Sequence, residues 1–223
     1  MRPSRQDVFS EIKEHRFIPL FNHDDLNVSK QVLKAAYDGG VRVFEYTHRS
    51  PNAFSVFKEL VKYANQSFAD MVLGAGTILT AVDAKAYYDG GADFIVSPTI
   101  PLEVATWCEE NSVFWCPGAS TLNEIMLAKS LGADMVKIFP ANYLGGPGYL
   151  KALKGPCPNI DVLITGGVEP NKENLSSWFE AGAMAVGMGS NLFNKESIGR
   201  NDFEGIRKMS ADIVGIIRGI AKA

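Results

Sequence analysis

The residues that could do chemistry are a lysine and a glutamate placed where apolar side chains belong. Lys137 lies in Asp134-Met135-Val136-Lys137-Ile138-Phe139-Pro140, where it shares a face with Met135 and Phe139 while Val136 and Ile138 take the other. A charged amine inside a buried strand is costly unless it is paired or neutral. An ordinary lysine, with a pKa near 10.4, holds about one neutral amine in roughly 2,500 at pH 7. Making a large fraction neutral takes about 4 kcal/mol, which desolvation inside a barrel can supply, and the product is a nucleophile. Periodicity alone also admits an edge lysine that snorkels to the rim.

Glu45 ends a second apolar run, Val41 to Thr47, and shares one face with Val41, Val43 and Thr47. If the valines point inward, so does the carboxylate, and near an amine it can carry protons. A purely structural Lys–Glu pair fits the same spacing. Arg49 continues that face past the strand end and suits a carboxylate or phosphate, or a solvated loop. Thr77 follows Gly74-Ala75-Gly76, and Ser97-Pro98 closes another run, both small enough to leave room for a ligand. Two glycine-rich stretches, Thr165-Gly166-Gly167-Val168 and Gly187-Met188-Gly189-Ser190-Asn191, follow the seventh and eighth strands. That is where barrels bind phosphate through backbone N–H groups. His15, His23 and His48 have no metal-ligand spacing, and no carboxylate cluster offsets that, so no required metal is expected. His48 has the parity opposite to Glu45, which predicts packing or exposure.

These positions make sense only if strands carry them. Apolar runs at 17–21, 41–47, 71–75, 93–97, 113–117, 134–139, 161–165 and 184–188 predict eight strands at the spacing of βα units. Helical patterns fall at 29–37, 53–63, 82–88, 101–110 and 121–131, the last with Leu122, Ile125, Met126 and Lys129 on one face. A repeated phrase leads from helix into strand in DGGVRVFE, DGGADFIV, LGADMVKI and AGAMAVGM, with glycine where a left-handed stop is expected. Eight such units with no linker predict one α/β domain over 1–223, a closed (β/α)8 TIM barrel, over an open doubly wound sheet.

The bulk composition agrees. Of 223 residues 46% are hydrophobic, enough for a large core, and a net charge of −3 without charge blocks argues against nucleic acid as the main ligand. Cys108, Cys116 and Cys157 are odd in number and predict no disulfide framework. The polar start MRPSRQDVFSEIKEHR lacks a signal-peptide core, and no run is long enough to span a membrane. A soluble cytoplasmic protein is expected.

In the order GGVRVFEYTHRS, VLGAGT, FIVSP, CPGASTLNEIMLA, VKIFPA, LITGGV and GMGSNLF, the chain resembles the KDPG/KHG aldolase family from about Phe17 to Phe193. The resemblance implies a metal-free and cofactor-free class I aldolase, commonly a homotrimer, acting on a small 2-oxo acid. It implies a covalent imine on Lys137 and acid–base work by Glu45. Arg49, Thr77, Pro98, Phe139 and Thr165 then fall at substrate-contact positions, and Gly166, Gly167, Gly189 and Ser190 at phosphate-binding ones. Asn142 stands where many members have Glu, and Phe21-Asn22-His23-Asp24 lacks a basic residue some members carry. Another phosphate-binding barrel enzyme, or a sugar-phosphate binding protein without catalysis, shares the glycine loops but needs no imine.

Overall fold

Each predicted apolar run becomes a strand. In a computed structural model that describes residues 2–221, the strands are β1 (Phe17–Phe21), β2 (Val43–Thr47), β3 (Val72–Gly76), β4 (Phe94–Val96), β5 (Phe114–Cys116), β6 (Gly118–Ala119), β7 (Val136–Ile138), β8 (Val162–Thr165) and β9 (Ala185–Met188). All pair in parallel, in the order β5-β4-β3-β2-β1-β9-β8-β7-β6. The two ends of that order are the halves of one stretch. β5 pairs with β4 and β6 pairs with β7, and only Pro117 separates them. Proline has no N–H to donate to a ladder, yet its carbonyl still accepts from Lys137 N at 2.8 Å. The expected single strand at 113–117 is therefore split, and the ring closes through it as an α/β barrel. An open sheet is overturned.

The helices α2 (Leu26–Asp38), α3 (Ala53–Ser67), α4 (Ala81–Asp89), α5 (Leu102–Glu110), α6 (Leu122–Ser130), α7 (Gly146–Lys154) and α8 (Lys172–Glu180) follow their strands, with a 3₁₀ turn at Ala141–Leu144 before α7. After β9 come a short α9 (Lys195–Gly199) and the long α10 (Phe203–Ala221), which packs on α2 and α8. In α6 the buried positions are Ile125 and Ala128; Met126 is exposed, contrary to its place on the expected face. The repeated phrase performs the expected stop: Gly40, Gly91, Gly132 and Gly182 all have positive φ. The next N–H in each case reaches five residues back, as Val41 N does to Ala36 O at 3.1 Å.

The N-terminal helix has no counterpart among the expectations. The polar N-terminal segment folds as α1 (Arg5–His15), started by a Ser4 capping box. Its only buried residues, Val8 and Ile12, close one end of the lumen against Ile18, Val43, Phe94, Phe114, Met135 and Leu163. Arg5 pins the helix, donating to Asp134 at 2.7 Å, to Glu109 at 2.7 Å and to the Gly132 carbonyl at 2.5 Å. With that end plugged, the lumen opens toward the strands' C-terminal ends. Met1, Lys222 and Ala223 lie outside the described residues.

Candidate active site

Lys137 sits in the middle of β7 and Glu45 in β2, halfway round the ring from each other. Their side chains cross the lumen and meet, with Nζ of Lys137 3.7 Å from Oε1 of Glu45. Glu45 is fully buried and Lys137 is 5% exposed, so the inward parity expected for both is what the barrel does. Neither oxygen of Glu45 has a hydrogen-bond partner among the described residues. A buried carboxylate without such support costs free energy that ordinary packing would remove. Its upkeep is what a reactive site, rather than a structural ion pair, explains.

The neighbours make room for this pair. A Cβ on Gly76 would lie 1.8 Å from Oε1 of Glu45, so β3 needs glycine there for the carboxylate to reach the lysine. Below them the floor is apolar, with Phe94, Phe114 and Cys116 fully or nearly fully buried. Burial pushes the Cys116 thiol well above its ordinary pKa, against the opposing effect of Lys137 and with that of Glu45, so it stays uncharged. On the open side, the Phe139 ring lies 5.6 Å from the lysine amine and is 40% exposed at the rim.

Above the pair opens a cavity of about 490 Å³. Lys137, Arg49, Phe139, Thr165, Gly166, Gly167, Gly189 and Ser190 line it, so most of the expected site residues converge. Glu45 is not part of the wall. Thr165 is 3% exposed and its hydroxyl has no protein partner among the described residues, which leaves it free for a ligand. Gly166 and Gly167 have φ of 87° and 75°, and a side chain on Gly167 would collide with Asn142 (Cβ to Cβ 2.4 Å). Asn191 ties the two glycine loops together, its Nδ2 donating to the Val168 carbonyl at 2.8 Å.

Two expected contacts fall elsewhere. Thr77 is not part of the cavity wall; with φ of 63° it turns its hydroxyl to Arg49, which donates Nε–H to it at 3.3 Å. Pro98 is also outside the wall, half-buried with its carbonyl against Gly118. His48 is packed as its parity predicts, with Nδ1 2.8 Å from the Tyr87 hydroxyl. Asn22, Thr47 and Lys195 join the wall without having been expected there, as does Asn191 at the end of the expected glycine-rich stretch. Thr47 had a signal, since it shares the face of Glu45. The other three sit in loops, where no periodicity points to the lumen. Besides Lys137, the wall carries two basic side chains, Arg49 and Lys195, and no Asp or Glu. Such a surface selects an anion.

Comparison with known proteins agrees with this geometry. The family described as KDPG and KHG aldolase matches residues 8–209. A 2-dehydro-3-deoxy-phosphogluconate aldolase of Treponema pallidum (strain Nichols) is 30% identical over 94% of this chain and 97% of its own. A 2-dehydro-3-deoxy-6-phosphogalactonate aldolase of Escherichia coli (strain K12) is 35% identical over 71% of this chain and 75% of its own. Among solved structures, KDPG aldolase from Legionella pneumophila, with pyruvate captured at low pH as a covalent carbinolamine intermediate, superposes with a TM-score of 0.84. It is 26% identical, covering 96% of this chain and 99% of that one. A lumenal lysine faced by a buried carboxylate, under an anion-selective mouth, is what such chemistry needs, and with the match running almost end to end the chain belongs to the KDPG and KHG aldolase family.

Proposed function

We propose that this chain is a class I aldolase that cleaves 2-keto-3-deoxy-6-phosphogluconate, and also 4-hydroxy-2-oxoglutarate, to pyruvate and an aldehyde, glyceraldehyde 3-phosphate from the former. The observation that carries the proposal is the Lys137–Glu45 pair, 3.7 Å apart across a plugged lumen and open to an anion-selective cavity. The carbinolamine in the Legionella pneumophila relative supports a covalent route.

Neutral Lys137 attacks the C2 carbonyl, and Glu45 moves the protons that turn carbinolamine into imine with loss of water. The protonated imine is an electron sink. When the C3–C4 bond breaks, its electron pair enters the imine as an enamine, so no free carbanion forms. Glu45, directly or through a water, takes the C4 hydroxyl proton as the aldehyde leaves. Protonation at C3 and hydrolysis then release pyruvate and the free lysine. Arg49, held by Thr77, faces the substrate carboxylate. Thr165 and Phe139 border the reacting carbons, while the Gly166–Gly167 and Gly189–Ser190 loops receive the distal phosphate. The imine supplies the electron sink, so neither a metal nor an organic cofactor has a step to perform. A cytoplasmic location and a homotrimer belong to the same proposal. Three unpaired thiols support the first; the family resemblance supports the second, and apolar side chains exposed on consecutive barrel sectors are compatible with it.

Borohydride reduction in the presence of pyruvate tests the reading. A three-carbon adduct on Lys137, absent in Lys137→Ala, is the expected result by peptide mass spectrometry. An adduct on Lys129, whose amine is engaged with the Ala133 carbonyl at 2.9 Å, or on the exposed Lys151 would overturn it.

A further inference from the structure

The cavity wall holds a cation that the bond-breaking steps do not use. Lys195 lines the same cavity as Gly166, Gly167, Gly189 and Ser190. Seven residues past the end of a strand, a lysine would ordinarily be carried away from the lumen. Here Leu192 N and Phe193 N both donate to the Gly189 carbonyl, at 3.0 and 2.8 Å, and that turn folds the chain back over the mouth. Phe193 anchors the turn, its ring 5.1 Å from Phe21 and 5.9 Å from Phe44. Asn194 then starts α9 by accepting Ser197 N–H at 2.8 Å, which fixes Lys195 as the first helical residue. The lysine tail is flexible, but its root is held at the rim.

Its charge is also uncommitted. Lys195 has no ion-pair partner among the described residues; the adjacent Glu196 pairs with Arg200 at 2.8 Å, on the helix's own surface. No carboxylate lines the cavity to neutralise it. Arg49 stands at the β2 end of this wall, while Lys195 stands on the β9 side with the glycine loops. A ligand that satisfies both needs an anion at each end.

We propose that Lys195 is a specificity-determining residue that grips the distal phosphate of the substrate and so selects phosphorylated 2-oxo acids over unphosphorylated ones. The proposal rests on the aldolase reading above, and deepens it by assigning the distal charge to one side chain. Phosphate fits better than a carboxylate, because the two glycine loops after the last barrel strands offer backbone donors beside the ammonium.

The test compares kcat/KM for 2-keto-3-deoxy-6-phosphogluconate with that for 2-keto-3-deoxygluconate. Lys195→Ala is expected to lower the preference for the phosphorylated substrate about tenfold, equivalent to about 1.4 kcal/mol. The loss should appear in KM with little change in kcat, and Lys195→Arg should restore most of it. In parallel, inorganic phosphate should raise the Tm of the native protein more than that of Lys195→Ala. An unchanged preference, or a loss shared equally by both substrates, overturns the proposal. A native protein that releases no pyruvate and forms no borohydride adduct defeats the aldolase reading instead. Phosphate that shifts both Tm values equally would still count against Lys195 in that case.

Discussion

At the scale of single residues, the site depends on two polar side chains enclosed in the barrel lumen. Glu45 is enclosed completely, with no hydrogen-bond partner among the described residues and the Lys137 amine 3.7 Å away. Glu45→Gln keeps the shape and the contact but removes the group that accepts and returns a proton. Borohydride should still trap pyruvate on Lys137 in this variant, while kcat for cleavage falls on the order of 10²–10⁴-fold. Turnover at the native rate would take Glu45 out of the mechanism. The two residues are legible in the sequence because strand parity is a strict rule: a polar residue in phase with buried valines has one place to go. Thr77 and Pro98 show where the rule stops. Their position after a strand places them at the rim, but past the last ladder bond the backbone turns. Thr77 at φ 63° faces Arg49, and Pro98 abuts Gly118. Lys195 is illegible for a related reason, since it reaches the cavity by a turn that no periodicity encodes.

At the scale of elements, neighbouring strands set the distance between the two charged groups. β3 lies beside β2, and Gly76 faces Glu45 so closely that any Cβ would occupy the carboxylate's place. Gly76→Ala should turn Glu45 away from Lys137 and lower kcat by about 100-fold, the scale expected of a misplacement near 1 Å. It should also destabilise the fold by about 1–3 kcal/mol from overpacking. Adding Glu45→Ala in the same chain should recover much of the Tm without recovering activity, a non-additivity that reports direct contact. Equal and additive losses of Tm would mean that the clash is absorbed elsewhere. The strands are legible as eight apolar runs, and the helix stops are legible in the glycine phrases. The split at Pro117 is not, because a proline inside an apolar run reads as the strand's end until the partner on each side is known. Nor is α1, whose contribution to the core is only Val8 and Ile12, too few to stand out among its charges.

At the scale of the whole molecule, the barrel hides its reactive pair but leaves apolar side chains outside. Val82 is 77% exposed, Leu102 61% and Tyr143 83%, with Leu79, Met126 and Leu127 near half. They lie on segments that follow β3, β4, β6 and β7, consecutive sectors on one half of the ring. Apolar exposure of this kind favours association over solvent. For the homotrimer proposed on the family resemblance, sedimentation or light scattering should give three times the 24.3 kDa chain mass. Val82→Asp combined with Leu102→Asp should shift the protein to monomer by burying charge at the contact. A monomeric native protein would remove the trimer from the proposal. The cavity residues of this chain run from β1 through α9. The dissociated subunit should then still form the pyruvate adduct on Lys137, with a lower Tm from the lost contacts. Loss of the adduct on dissociation would instead show that a neighbouring subunit holds the mouth of the cavity in shape.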